Sequence, residues 1–210
     1  MNVGRSTMTD PTIFDNLRVL MEGALYELDL AGELVVTERQ DLVDLAALSR
    51  SFRMTVEVPS SEIAPKYPPK LELRLSSQFL DFAAEKLAAF KAGSPSPATG
   101  CLLEALLLLP VNTTEQSAKV AELHPEQLSL GALRLAGQAV ERIAAQIWRE
   151  RLNAPELHLH YSGTLTSLSS GVLWLEAQFR YEHSLVEEDA SAIPGMIDDC
   201  LSVLVHMHRA

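Results

Sequence analysis

Four segments of the chain alternate apolar and polar residues with a period of two. Successive side chains of a β-strand point to opposite sides of a sheet, so this alternation predicts strands with one buried face. Turn-forming segments join the first two strands to each other and the last two to each other, which favours two antiparallel hairpins covered by helices. The four segments are residues 52–58, 71–75, 157–161 and 173–181.

Helical spacing of apolar residues marks much of the remaining sequence. Asp10 followed by Pro11 is a typical helix start, and Gly32 is a typical stop. A short strand is predicted at residues 33–36, before a second helix that begins at Thr37 and has a capping-box partner at Gln40. Further helices are predicted at residues 76–92, starting from Ser76 or Ser77, and at 112–123, 125–153 and 191–208.

The segment 101–111 is apolar almost throughout. A strand buried on both faces has this character, and so does a buried helix, because leucine is a good helix former. The strand is the favoured interpretation, with the helix as the alternative. In either case Glu104 is expected to point outward or to meet an arginine.

The pattern as a whole predicts an α+β fold with two antiparallel hairpins and helices packed on the sheet. Residues 1–9 are expected to be disordered, followed by units at 10–93 and 101–210 that are separated by a Gly/Ser/Pro-rich linker. A length of 210 residues also allows one compact domain. A tandem repeat of a helix–strand–strand–helix unit would explain the order of elements, and chance recurrence is the alternative.

The composition excludes several classes of function. With 17 basic and 28 acidic residues, the formal net charge is −11, which is unsuited to binding nucleic acid or anionic lipid. The longest apolar run is much shorter than the roughly 20 residues of a membrane-spanning helix. Cys101 and Cys200 lack metal or redox spacing, which is typical of reduced, packed thiols and predicts a cytoplasmic protein.

The motifs of several enzyme classes are missing from the sequence. It contains no glycine-rich phosphate loop, no HExxH, no GxSxG and no EF-hand pattern. Together these absences argue against a nucleotide-driven enzyme, a zinc protease or a nucleophile-elbow hydrolase. No cofactor and no catalytic residue is therefore predicted.

A histidine pair is the sharpest chemical feature. His158 and His160 are two residues apart on a predicted strand, so both side chains project from one face and could share a metal ion. Glu176 is the third ligand chosen, and Glu182 and His183 are the other candidates. The alternative is a polar sheet face in contact with water.

A protein-binding surface is predicted from three residues: Trp174 and Arg180 on the polar side of the last strand, and Tyr67 in the proline-rich loop. A covering helix is the alternative partner for Trp174. The expected function is that of a non-enzymatic adaptor or chaperone-like homodimer, which presents a sheet face or helix groove to a protein partner. The alternatives are a metal- or small-ligand-binding enzyme that uses His158 and His160 with a nearby carboxylate, and a ligand sensor.

Overall fold

The computed structural model describes residues 12–59, 67–81, 83, 100–112, 125–149, 155–162, 172–181 and 184–209. In chain order, the elements defined in these ranges are α1 (Ile13–Leu30), β1 (Val35–Asp44), β2 (Ser49–Glu57), β3 (Lys70–Gln78), β4 (Leu102–Asn112), α2 (Pro125–Ile147), β5 (Glu156–Ser162), β6 (Val172–Arg180), a 3-10 helix (Glu187–Ala192) and α3 (Ile193–Arg209).

The six strands form one antiparallel sheet in the order β1-β2-β3-β4-β6-β5. The two predicted hairpins are confirmed as β2–β3 and β5–β6. Strand β4 lies between them and pairs with both β3 and β6, so the strand interpretation of residues 101–111 is confirmed. The α+β fold class is therefore confirmed, with both hairpins in a single sheet.

One side of the sheet, called the core face here, is buried under the helices α1, α2 and α3. Its apolar residues are those of the period-two pattern, which explains why these segments form strands: pairing satisfies their backbone while burial removes one row of side chains from water. The core face consists of Phe52, Met54, Val56, Leu71, Leu73, Leu75, Leu103, Ala105, Leu107, Leu109, Leu175, Ala177 and Phe179.

The helix predicted from Thr37 is wrong. The strand predicted at residues 33–36 begins at Val35 and continues to Asp44 as the ten-residue strand β1, which pairs with β2. Asp44 then caps the hairpin turn by accepting hydrogen bonds from the N–H groups of Ala46 and Ala47, each at 2.9 Å. The capping-box spacing of Thr37 and Gln40 is present in the sequence, but pairing with a neighbouring strand outweighs that local signal.

Three helix boundaries also differ from the predictions. Helix α1 is capped by Thr12, which forms a capping box with Asp15, whereas the predicted caps Asp10 and Pro11 lie outside the described residues. Strand β3 continues through Ser76 and Ser77 to its end at Gln78, and the described residues 79–81 and 83 are helical, so the helix predicted here begins after Gln78 and not at those serines. Helix α2 ends at Ile147, six residues before the predicted end.

The end of α1 is as predicted: Gly32 has a φ of +74°, a conformation that glycine adopts without steric cost.

The tandem repeat is not confirmed, because the first unit places three consecutive strands after α1 while the second interrupts its strands with α2. Residues 1–9 and the linker lie outside the described ranges, so the domain division stays a prediction. None of the described helices combines the length and apolar character needed to cross a membrane.

Candidate functional site

The second side of the sheet, called the open face here, carries the residues that alternate with the core face. Cross-strand partners in an antiparallel sheet point to the same side, so the strand register defines its members. Most of them are half-buried, and the three described α-helices lie on the opposite side of the sheet. The open face includes Arg53, Thr55, Glu57, Lys70, Glu72, Arg74, Ser76, Leu102, Glu104, Leu106, Leu108, Pro110, Trp174, Glu176, Gln178, Arg180, Glu156, His158 and His160.

The register brings the predicted metal ligands to this face. His160 pairs with Glu176, and His158 pairs with Gln178. The His158 ring lies 3.2 Å from a carboxylate oxygen of Glu156 on the same strand. Among the described side chains no group of three potential ligands could hold a metal ion, and the side chain of His160 is outside that set, as are Glu182 and His183. The metal site therefore stays a prediction.

Two of the predicted partner-binding residues are in contact. The rings of Tyr67 and Trp174 meet edge-on, with their centroids 6.2 Å apart. Trp174 is half-buried, and Pro110 is its cross-strand neighbour on β4. Arg180 lies on the same face and contacts Glu104 at 3.4 Å, as expected for a carboxylate in that apolar segment. Tyr67, Trp174 and Arg180 are thus placed on one surface, and residue types of this kind are enriched at binding hot spots.

Ion pairs lie on both sides of β4. On β3, Lys70 contacts Glu57 at 2.7 Å, and Arg74 contacts Glu72 at 3.1 Å. The side chains of Glu72 and Glu104 are only 15% exposed. The cations above them are more accessible, at 43% for Arg74 and 51% for Arg180. The carboxylates therefore lie low in the face, and the positive groups project from it.

A row of leucines runs along β4 between these ion pairs. Leu102, Leu106 and Leu108 are half-buried on the open face, although their neighbours Leu103 and Leu107 are fully buried on the core face. Around Leu106 the surface forms a depression of about 190 Å³, lined by Leu106, Glu72, Arg74, Glu104, Glu176 and Gln178. The face therefore combines apolar contact area with charged groups at defined positions.

The sequence pattern does not reveal this leucine row, because the continuous apolar run 101–111 predicts a strand buried on both faces. The signal that would have identified it lies in the neighbours: Leu106 is flanked in register by Glu72 and Gln178, which belong on a surface in contact with water. Strand β4 pairs with β3 and β6, and both of these strands are amphipathic. One face of β4 must therefore lie on the same side of the sheet as their polar residues.

A second depression, of about 280 Å³, lies at the start of α1, where Phe14 lies beside the end of β3. Its charged groups are already engaged with each other: Arg50 donates to Asp15 at 2.9 Å. Burial works to raise the pKa of Asp15, but hydrogen bonds from Thr12 and Arg50 outweigh it and lower the pKa below its usual value. This pair ties α1 to β2, and its charges are satisfied without a ligand.

The two cysteines are buried and are not joined in a disulfide. Burial raises the pKa of Cys200 to about 12, so at neutral pH it is a neutral, packed thiol and not a nucleophile.

Comparison of the chain with family models, curated proteins and solved structures finds no match in any of the three. The geometry of the open face is therefore the basis for assigning a function to the protein.

Proposed function

We propose that the protein is a non-enzymatic interaction protein, of adaptor or chaperone-like type, that binds a partner on the open face. The observation that carries this proposal is the leucine row of β4 between outward-projecting cations. The partner segment that fits it best is an amphipathic helix with acidic flanks. No covalent chemistry is required of the protein for this role.

The dimensions of the face favour a helix. Strands β3, β4 and β6 lie side by side, and neighbouring strands are about 4.8 Å apart, so the three span roughly 10 Å. An α-helix with its side chains is about 10–12 Å wide. A helix lying along β4 would place an apolar stripe on Leu106 and Leu108, with its flanks above β3 and β6. Covering a half-apolar sheet with a helix is the usual way in which sheets bury such a surface.

The distribution of charge favours acidic flanks. Arg74 contacts the carboxylate of Glu72 at 3.1 Å and Arg180 contacts that of Glu104 at 3.4 Å, while the two arginine side chains are 43% and 51% exposed. A guanidinium has five N–H donors, so further acceptors can bind the same groups from above. The chain is acidic overall, but Glu187, Glu188 and Asp198 belong to the 3-10 helix and α3, on the other side of the sheet. Screening limits the reach of such distant charges to about 8–10 Å at physiological salt.

The location and the assembly belong to the same proposal. We place the protein in the cytoplasm because its two cysteines lie buried in the core and are not joined in a disulfide. We also propose that it acts as a homodimer.

The proposal is tested with two labelled synthetic helical peptides that share one leucine stripe and carry either glutamate or lysine on both flanks. Fluorescence anisotropy against the full chain measures each Kd. We expect the glutamate peptide to bind more tightly. Leu106→Lys should weaken binding at least about tenfold, or ~1.4 kcal/mol, because it places an ammonium group in the apolar row.

The matched control is Leu135→Lys, which introduces the same charge at a leucine of α2 that is already exposed. Equal binding by the two variants would exclude the open face as the site. Tighter binding of the lysine peptide would overturn the acidic character assigned to the partner.

The register of His158 and His160 with Gln178 and Glu176 favours a second candidate, a metal- or small-ligand-binding enzyme that uses this end of the face. Zinc titration by calorimetry, on the native chain and on a His158→Ala/His160→Ala variant, tests it. Equal heats for the two proteins would end this candidate and leave the interaction proposal unaffected.

A further inference from the structure

Strand β1 forms one edge of the sheet. It is ten residues long and pairs with β2 alone among the described strands. The outer side of an edge strand carries a row of backbone N–H and C=O groups that can accept another strand. A bulge interrupts the alternation between Val36 and Glu38, and from Glu38 to Asp44 the pairing is regular.

Exposed apolar side chains are concentrated in α1, in β1 and in the turn that follows β1. Nine of the eleven large apolar residues that are exposed in the described part of the chain lie between residues 19 and 48. They are Val19, Leu20, Tyr26, Leu30, Val35, Leu42, Val43, Leu45 and Leu48. A surface enriched in this way marks an interaction site more often than scattered single residues do.

Helix α1 brings part of this apolar surface beside β1. Glu22 of α1 contacts Arg39 of β1 at 2.5 Å. Val19 and Tyr26 are three residues before and four residues after Glu22, so they share its side of the helix. Both therefore face toward the β1 edge, where a neighbouring molecule would cover them.

The charges of β1 favour pairing of the strand with itself in the register centred on Gln40. Directly opposite residues in an antiparallel pair point to the same side of the sheet. In a symmetric dimer, the residue at the two-fold axis must therefore lie opposite the same residue of the second copy. An axis at Glu38, Arg39 or Asp41 would place like charges directly opposite each other, which is destabilising. An axis at Gln40 places Arg39 opposite Asp41 of the second copy, twice, and places the neutral Gln40 opposite itself.

We propose that β1 pairs antiparallel with β1 of a second copy of this chain, about a two-fold axis at Gln40. The two sheets then join into one, and the two α1 helices flank the axis on the core-face side, where Val19 and Tyr26 add apolar area to the contact. This inference rests on the proposed homodimer and is independent of the open face, because β1 lies at the edge of the sheet.

Cross-linking tests the register. Opposite residues in an antiparallel pair have Cα atoms about 4.5–5.5 Å apart, within the range for a disulfide, so Gln40→Cys should form a covalent dimer on mild oxidation. Leu42→Cys is the matched control on the same strand and face, and it should remain uncross-linked because it lies opposite Glu38 of the second copy. Cys101 and Cys200 are each 1% exposed and will not compete.

Charge substitution at the axis gives a second test. Gln40→Glu and Gln40→Lys each place like charges opposite each other, and each should weaken the dimer several-fold in light scattering coupled to size exclusion. A mixture of the two variants should recover the dimer, because glutamate then faces lysine.

A native chain that is monomeric at all concentrations would overturn both the homodimer and this interface. A stable dimer in which Gln40→Cys fails to cross-link, or in which the mixed variants gain nothing, would overturn the β1 interface alone. Neither result depends on peptide binding at the open face, so the two proposals can fail separately.

Discussion

The two faces of β4 carry the same residue type in different surroundings. Leu103 and Leu107 point into the core face and are at most 1% exposed, whereas Leu102, Leu106 and Leu108 are half-buried on the open face. The helices cover the first row, and ion pairs flank the second. Every leucine side chain prefers an apolar environment. The surrounding strands and helices decide whether the folded chain or a binding partner provides that environment.

The largest expected difference between the faces concerns stability. Leu107→Ala removes a fully buried side chain and should lower the free energy of unfolding by about 2–5 kcal/mol, because a cavity is left in the core. Leu106→Ala should cost about 1 kcal/mol or less, since water can fill the space on the open face. Urea unfolding of the two variants measures the difference. Equal losses would mean that the open face is covered within the folded chain.

A smaller effect is expected for the polar link between α1 and the sheet. Asp15→Asn should cost about 1 kcal/mol at neutral pH, because the capping box and the pair with Arg50 are weakened. The native pKa of Asp15 is lowered. Its stabilising contribution is therefore complete above the unfolded value of 3.8 and is lost as the pH falls through the native value.

The measurement for Asp15 is the difference in unfolding free energy between the native chain and the variant across a pH series. The difference should shrink toward zero at acid pH. A difference that stays constant across the series would show that the carboxylate charge plays no part.

The smallest effect is expected for the ion pairs on the open face. Arg180→Gln should change the unfolding free energy by less than about 1 kcal/mol, because this exposed side chain forms a surface pair with Glu104 in high dielectric. The same variant should weaken binding of the glutamate peptide. A large loss of stability without a loss of binding would assign Arg180 to the fold and not to the partner site.

The hairpins β2–β3 and β5–β6 were predictable because each residue of their alternating pattern agrees with its position in the sheet. Phe52 and Phe179, on different hairpins, are both fully buried on the core face as the pattern requires. The stop of α1 at Gly32 was also predictable, since a positive φ is a local property of the chain.

Strand β1 could not be predicted in the same way. Thr37 and Gln40 have the spacing of a helix cap, and Leu42 and Leu45 have helical spacing, yet both leucines are exposed in the structure. Strand β1 is exposed along most of its length, so it lacks the alternation that identifies β2, β3, β5 and β6. The repeat inferred from the order of elements is not confirmed, because it depended on a helix at this position.

The sequence by itself determined that β2, β3, β5 and β6 are strands and which side chains of β2, β3 and β6 enter the core, because period-two alternation indicates a single buried face. It also placed Trp174 and Arg180 on the other face. Only the tertiary structure decided that β4 separates the hairpins, that its leucines divide between core and surface, and that β1 is an edge. Strand neighbours far apart in sequence set these features, and no local pattern encodes which strands pair.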